Sequence, residues 1–354
     1  MKKTRVAVLF GGMSSEHSVS LLSASSVISH ISDEKYELFL IGITQKGEWY
    51  LYEGDPQKIA DSSWEKDNHK RQAFVAPDSK IHGIVAKCAD NTWETIRIDV
   101  AFPVLHGLYG EDGTVQGLFK LACIPFVGCG VSASAVCMDK AIAKALCDAY
   151  QIPQSKWDSA LVSDLRDEDG SFFAHLEEHL GYPIFVKPAN AGSSVGITKV
   201  KNREELKQAV KTAAEHDNKL VFEENVVGHE VECAVLGNEN PVASCCGEIR
   251  PCNEFYDYNA KYLANRTELD IPAKLPKEES EKVRREAVRA FKLLGCKGMT
   301  RMDFFVCENG DVLLNEPNTI PGFTAISMYP KLFEAVGTSY SDLLEKLLQL
   351  AMGE

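Results

Sequence analysis

Asp303, Glu316 and Asn318 are spaced so that one hairpin would bring three oxygen-bearing side chains onto a single face, with Arg301 beside them. They lie in the stretch Arg301 to Ser327, RMDFFVCENGDVLLNEPNTIPGFTAIS, where the apolar runs Met302 to Val306 and Val312 to Leu314 flank Asn309-Gly310. Asn-Gly between strand-like runs predicts a two-residue hairpin turn. With Glu308 paired to Asp311, the register sets Phe305 opposite Leu314, Asp303 opposite Glu316 and Arg301 opposite Asn318. Opposed like charges with Cβ atoms about 5 Å apart repel, and a divalent cation would relieve the repulsion. The donors are all oxygens, with no His or Cys, which suits a hard ion such as Mg2+ held together with substrate phosphates. The alternative is a surface hairpin with solvated charges. Arg301 and Asn318 on the same face, and the rigid turn Pro321-Gly322, favour a site.

Other candidates follow the ends of predicted strands. Arg5 to Phe10 reads as a buried strand entering Gly11-Gly12, with Ser14 and Ser15 as candidate caps of a helix that carries Leu21, Ala24, Ile28 and Ile31 on one face. Glu16 in its first turn serves either the helix dipole or a ligand. No G-x-G-x-x-G is present, so a dinucleotide site is not indicated. Ile98 to Leu105 is a second buried strand, and His106-Gly107 and Gly110-Glu111-Asp112-Gly113 follow its carboxyl end, where open α/β sheets hold ligands. Ser134 to Tyr150 reads as one helix, with Lys140 and Lys144 on a solvated face. Lys187 ends a strand and leads into PANAGSSVG, a small-residue lid whose amides and hydroxyls could close over phosphates. Lys219 to Phe222 is a strand ending in Glu223-Glu224-Asn225-Val226, a place to hold an adenine edge by backbone groups; Glu230 and Glu232 alternate on the next one. The aromatic stretch EFYDYNAKYLANR has neither strand nor helix period and reads as a long functional loop or a packed edge.

The elements that must position these residues are those of a strand–helix alternation, which predicts a parallel sheet in an α/β chain. Residues 50–97 are polar and irregular and read as a peripheral insertion. At 354 residues and 45% hydrophobic, the chain has core enough for two or three domains. Its net charge of -13 argues against nucleic acid or an anionic membrane as the main partner, so an anionic substrate needs local positive charge. No apolar run reaches eighteen residues and Met-Lys-Lys leads straight into a strand, which predicts a cytosolic protein without a signal peptide. The eleven cysteines include Cys245-Cys246 but no C-x-x-C, so neither a zinc site nor a disulfide framework is expected.

Taken in order, GGMSSEHSVSLLSA, FPVLHGLYGEDGTVQG, MDK, FVKPANAGSSVGITKV, GEIRPCNEFYDYNAKY, RMDFF and NEPNTIPGFTAIS resemble the D-alanine:D-alanine ligase family of ATP-grasp ligases. The resemblance implies an ATP-grasp fold with an N-terminal Rossmann-like parallel-sheet domain over 1–133, a central domain over 134–222 and a C-terminal domain over 223–354. It implies ATP and two Mg2+ (or Mn2+) ions on Asp303, Glu316 and Asn318. By the same likeness, Lys140 and Lys187 contact phosphates, Glu223, Glu224 and the backbone near Val226 read adenine, and Glu230 reads the ribose. Ser193, Lys261 and Asn315 border the nucleotide. Glu16 holds the first D-alanine's ammonium, His106 lies near the substrates, and Arg301 with the Gly322 amide forms an oxyanion hole. Ser327 holds the second carboxylate. Lys261 and Tyr262 sit on a closing loop, with Tyr262 reaching Ser193 and Glu16. Met328 stands where relatives that add D-serine tend to carry a basic residue, so D-alanine is expected as second substrate. Ala325-Ile326 departs from the more polar pair of many relatives. A bacterial cytoplasmic homodimer, with no nucleic acid or membrane partner, completes the expectation.

Overall fold

Strand β1 (Thr4–Gly11) carries the unbroken apolar run Val6 to Phe10, and all five residues are buried, which requires cover on both faces. The computed structural model of the chain describes residues 2–166, 170–250 and 268–353. β1 lies between β2 (Tyr36–Ile43) and β7 (Val100–Pro103), both parallel to it, in a seven-stranded sheet ordered β6-β5-β4-β3-β2-β1-β7. Helix α1 (His17–His30) packs Leu21, Ala24 and Val27 on one face of β1, and α2 (Thr114–Leu121) packs Val115 and Phe119 on the other.

Only the β2-β1-β7 core of this sheet is parallel. Residues 50–97 do not form a peripheral insertion: β3 (Trp49–Tyr52), β4 (Lys70–Val75), β5 (Gly83–Lys87) and β6 (Trp93–Arg97) extend the sheet by antiparallel pairing. Their sequence reads as irregular because one face of an antiparallel edge can stay in water, and β6 is exposed at four of its five positions.

The stretch expected as one helix is two, α3 (Val131–Met138) and α4 (Lys140–Ala149). Asp139 separates them and caps α4 by accepting the Ile142 N–H at 3.1 Å. A second sheet, β10-β9-β11-β8, is antiparallel and built from β8 (Trp157–Leu161), β9 (Ile184–Pro188), β10 (Thr198–Val200) and β11 (Lys219–Glu224). Helices α5 (Ser171–Leu180) and α6 (Arg203–Ala214) cover it with Phe173, Leu176, Leu206 and Ala209.

The third sheet, β14-β13-β12-β15-β16, comprises β12 (His229–Gly237), β13 (Val242–Arg250), β14 (Glu268–Asp270), β15 (Gly298–Val306) and β16 (Val312–Asn318). Helix α7 (Lys277–Leu293) covers one face, and α8 (Met328–Glu334) and α9 (Tyr340–Met352) cover the other. α8 and α9 belong to the same core as Val6, Val8 and Phe102 of the first sheet. The Lys261 and Tyr262 loop lies outside the described residues.

The expected hairpin is there with a different tip. Cys307 N–H donates to Asp311 O and Gly310 N–H to Cys307 O, each at 2.9 Å, so the loop is Glu308-Asn309-Gly310 with Gly310 at φ +81°. That extra residue puts Phe305 opposite Leu313, not Leu314. A bulge at Asn315 shifts the register back, and Asp303 faces Glu316 and Arg301 faces Asn318 as expected.

Candidate active site

The residues singled out in the sequence converge on two adjoining cavities. The first is lined by Glu16, His106, Lys140, Ser193, Arg301, Asn318, Gly322, Ser327 and Met328; the second by Lys187, Glu223, Glu224, Val226, Glu230, Asp303 and Asn315. Glu316, Glu232 and Ile249 border both.

Glu16, not Ser14 or Ser15, occupies the N-cap position of α1, and Ser14 Oγ accepts its N–H at 3.0 Å. Its carboxylate is buried between two loops. Ser193 Oγ donates to Glu16 Oε1 at 2.5 Å, from the lid between β9 and β10. Gly107 and Gly192 close on the other oxygen: a Cβ on either would lie 2.4 or 2.6 Å from Glu16 Oε2. Ser193 and Ser194 hold left-handed φ values of +48° and +59°, a conformation that costs non-glycine residues energy and aims Ser193 at the carboxylate. Lys140 Nζ ties the same lid down by donating to Ala191 O at 2.7 Å, and lies 3.8 Å from Glu316 Oε2.

His106 is buried, and both ring nitrogens are engaged. Nδ1–H donates to Ile320 O at 2.9 Å, which leaves Nε2 to accept from Ser23 Oγ at 3.1 Å. Burial pushes its pKa down against the opposing pull of Glu16, consistent with this neutral tautomer. Ser23 Oγ also accepts the Phe323 N–H at 3.2 Å. Glu111, on the glycine-rich turn, accepts the N–H groups of Gly107 and Ile320, each at 2.9 Å. Together Ser23, His106 and Glu111 fix the segment from Ile320 to Phe323, and with it the Gly322 amide. That segment turns tightly enough that a Cβ on Gly322 would lie 2.7 Å from Ser327 Oγ. Ser327 Oγ accepts the Thr324 N–H at 2.9 Å. Met328 is buried with its sulfur against Gly247, and Lys331 joins it on the cavity wall.

Across the third sheet the register aligns Glu232, Asp303 and Glu316 on three adjacent strands. Arg301 offsets this row of carboxylates: its Nε is 2.9 Å from Glu232 Oε2 and 2.7 Å from Asp303 Oδ1, and its Nη2 is 2.6 Å from Asp303 Oδ2. Asn318 Nδ2 donates to Asp303 Oδ2 at 2.9 Å. Among the described residues no group of three His, Cys, Asp or Glu is gathered for a metal. The all-oxygen set of Asp303, Glu316 and Asn318 nonetheless fits a hard divalent ion that takes its remaining ligands from phosphate. The bulge turns Asn315 toward the second cavity.

At the back of the second cavity Glu223 is buried beside Lys187 Nζ at 3.0 Å and Lys144 Nζ at 3.6 Å. Burial alone would raise its pKa, but the two lysines overcome it and hold it down at about 2. The Glu224 carboxylate turns to the residue just before β8, accepting the Lys156 N–H at 2.7 Å.

Three of these residues were not legible as site residues. Lys144 reads as solvated because Lys140 stands one turn away; the available signal was its spacing from Ala141 and Cys147, which places it on the buried stripe of α4. Glu232 was visible only as an alternating partner of Glu230, and Glu111 only as part of a glycine-rich turn.

A cleft between two antiparallel sheets, flanked by a third, mixed sheet with a parallel centre, is the arrangement of the ATP-grasp fold. Solved structures agree: the VanG D-Ala:D-Ser ligase from Enterococcus faecalis superposes with a TM-score of 0.90 at 40% identity over 99% of this chain and 100% of that one. The D-alanine-D-alanine ligase from Coxiella burnetii does so with a TM-score of 0.87 at 35% identity, over 100% and 95%. Residues 5–129 match the family model described as D-ala D-ala ligase N-terminus and residues 146–349 the one described as D-ala D-ala ligase C-terminus. The D-alanine--D-alanine ligase of Thermoanaerobacter sp. (strain X514) is 52% identical over 99% of this chain and 97% of its own, and that of Acetivibrio thermocellus 48% over 99% and 96%. The chain belongs to the D-alanine–D-alanine ligase family.

Proposed function

We propose that this chain joins two D-alanine molecules into D-alanyl-D-alanine for peptidoglycan precursor synthesis, with ATP converted to ADP and phosphate. The observation that carries it is the pair of adjoining cavities: one is lined by both a buried carboxylate, Glu16, and a guanidinium, Arg301, and the other is backed by Lys187 and Glu223. Glu16 receives the ammonium of the first D-alanine. The carboxylate of that first D-alanine takes the γ-phosphoryl group from ATP, releasing ADP and giving a D-alanyl phosphate, and the amine of the second D-alanine displaces phosphate from that carbonyl. Arg301 and the Gly322 amide bear the charge of the tetrahedral oxyanion, a donor of this kind being worth about 3 kcal/mol. Ser327 takes the second carboxylate. The lid bearing Ser193 keeps water from the acyl phosphate.

In the second cavity Lys187 reaches the phosphates together with Lys140, Glu223 and the backbone of Glu224 and Val226 read the adenine, and Glu230 binds the ribose. Asp303, Glu316 and Asn318 would hold two Mg2+ or Mn2+ ions, which when bound neutralise phosphate charge. The three sequence segments 1–133, 134–222 and 223–354 serve as domains, and the protein acts as a cytoplasmic homodimer. D-Serine as second substrate is the other reading, favoured by the likeness to the VanG enzyme; the buried, apolar Met328 speaks for D-alanine.

ATP-dependent phosphate release with D-alanine alone, and a product with the mass of the dipeptide, is the expected result. A higher kcat/KM for D-serine in the second position would overturn the specificity, and no release with any amino acid would overturn the reaction.

A further inference from the structure

Resting on the nucleotide reading of the second cavity, we infer that Lys144 is a positioning residue that keeps Glu223 charged and in place, so that Lys187 can leave that carboxylate for a phosphate. Both lysines approach the same oxygen, Glu223 Oε2, at 3.6 and 3.0 Å. They differ in where they stand. Lys187 lines the cavity with Glu223, whereas Lys144 lies behind it on α4, only 4% exposed. Ser155 completes the rear support: Lys144 Nζ donates to Ser155 Oγ at 3.2 Å, and Ser155 Oγ donates to Glu223 Oε2 at 3.4 Å.

Two ammonium groups on one buried carboxylate leave an excess positive charge, and that excess faces the cavity through Lys187. An arriving phosphate oxygen balances it. Were Glu223 held by Lys187 alone, turning Lys187 to the phosphate would strand a buried carboxylate, and breaking a buried pair in that way is strongly unfavourable. Lys144 removes this penalty because it stays behind. It touches neither nucleotide nor amino acid, and all of its effect passes through Glu223.

The test measures ATP and D-alanine kinetics of the full chain in four forms: wild type, Lys144→Met, Glu223→Gln and the double variant. Lys144→Met is expected to raise KM for ATP about tenfold or more, with KM for D-alanine within about twofold. In the Glu223→Gln background, Lys144→Met is expected to change KM for ATP less than about twofold, since no carboxylate remains to hold. This second comparison stands even if Lys144→Met alone does not fold. Burial already pulls the Lys144 ammonium towards its neutral form against Glu223, so that in Glu223→Gln the amine sheds its proton and neither protein buries an unpaired charge at these two positions. An unchanged KM for ATP in Lys144→Met, or a further tenfold loss on adding it to Glu223→Gln, overturns the inference. Equilibrium ATP binding to the wild type separates the two levels: absence of binding there defeats the nucleotide reading itself, whereas binding with the wrong variant pattern defeats only the role of Lys144.

Discussion

Glu16 dictates the residue type at two distant positions. Its Oε2 lies where a Cβ on Gly107 or Gly192 would have to be, so both loops reach the carboxylate only as glycine backbone. Gly107 also needs its φ of +68°, which makes substitution there a mixture of strain and clash. Gly192 is the cleaner probe. Gly192→Ala is expected to push the Glu16 carboxylate or the lid out of place and to lower kcat/KM for D-alanine about 100-fold, the scale seen for misplacements near 1 Å. The melting temperature should move little, since residue 192 lies in a half-buried loop. Steady-state kinetics beside a thermal melt checks both; an unchanged kcat/KM would mean that the carboxylate shifts freely and is not held for a ligand. The sequence shows this geometry only in part. Gly107 follows a strand end and Gly192 sits among small residues, but nothing local says that both approach the same oxygen atom of a third loop.

The glycine-rich turn after β7 acts as an element through Glu111. Its two oxygens accept one amide from its own turn, Gly107, and one from the segment after β16, Ile320. Burial first, and then the nearby charge of Glu16, raise the Glu111 carboxyl to about 7, while the two amides and Arg301 pull the other way. A raised carboxyl binds its proton more tightly folded than unfolded, so its contribution to stability is complete below about pH 4.5 and is lost as pH rises through about 7. Glu111→Gln removes that dependence. It is expected to destabilise by about 1–3 kcal/mol at pH 5, where one buried amide loses its acceptor, and by less at pH 8. Denaturant titrations at both values test the sign; a penalty that grows with pH would overturn it. The β15–β16 hairpin gives the complementary lesson about legibility. Its site register was readable from Asn309-Gly310, yet the tip has three loop residues and Asn315 is bulged, and the two irregularities cancel where Asp303 meets Glu316. A turn dipeptide states where the chain reverses. It does not state which residue the sheet will leave unpaired to aim a side chain.

At the scale of the whole molecule, the three sheets are not equally joined. Val6, Val8 and Phe102 of the first sheet, Ala234 and Met299 of the third, and Leu343, Leu344 and Leu347 of α9 form one continuous core. The second sheet has its own, built from Phe173, Leu176, Ile184, Leu206 and Phe222. It meets α4 through the small cluster Ala141, Ala189 and Val221, and meets the first sheet at Ser193 and Glu16. The sequence did not foretell this partition, because the contacts that fuse the first and third sheets come from the last helices of the chain. With a separate core and few apolar ties, the second sheet is the part able to open as a unit at less than the global free energy. Hydrogen exchange by mass spectrometry is therefore expected to show amides in β9 and β11 exchanging faster than those in β1 and β15. A non-hydrolysable ATP analogue at a hundred times its Kd should slow exchange in β9 and β11 about 100-fold, the stabilisation that mass action gives to a closed, occupied cleft. Equal slowing across β1 and β15 would show that the molecule opens only as a whole, and that the cleft closes without relative movement of the second sheet.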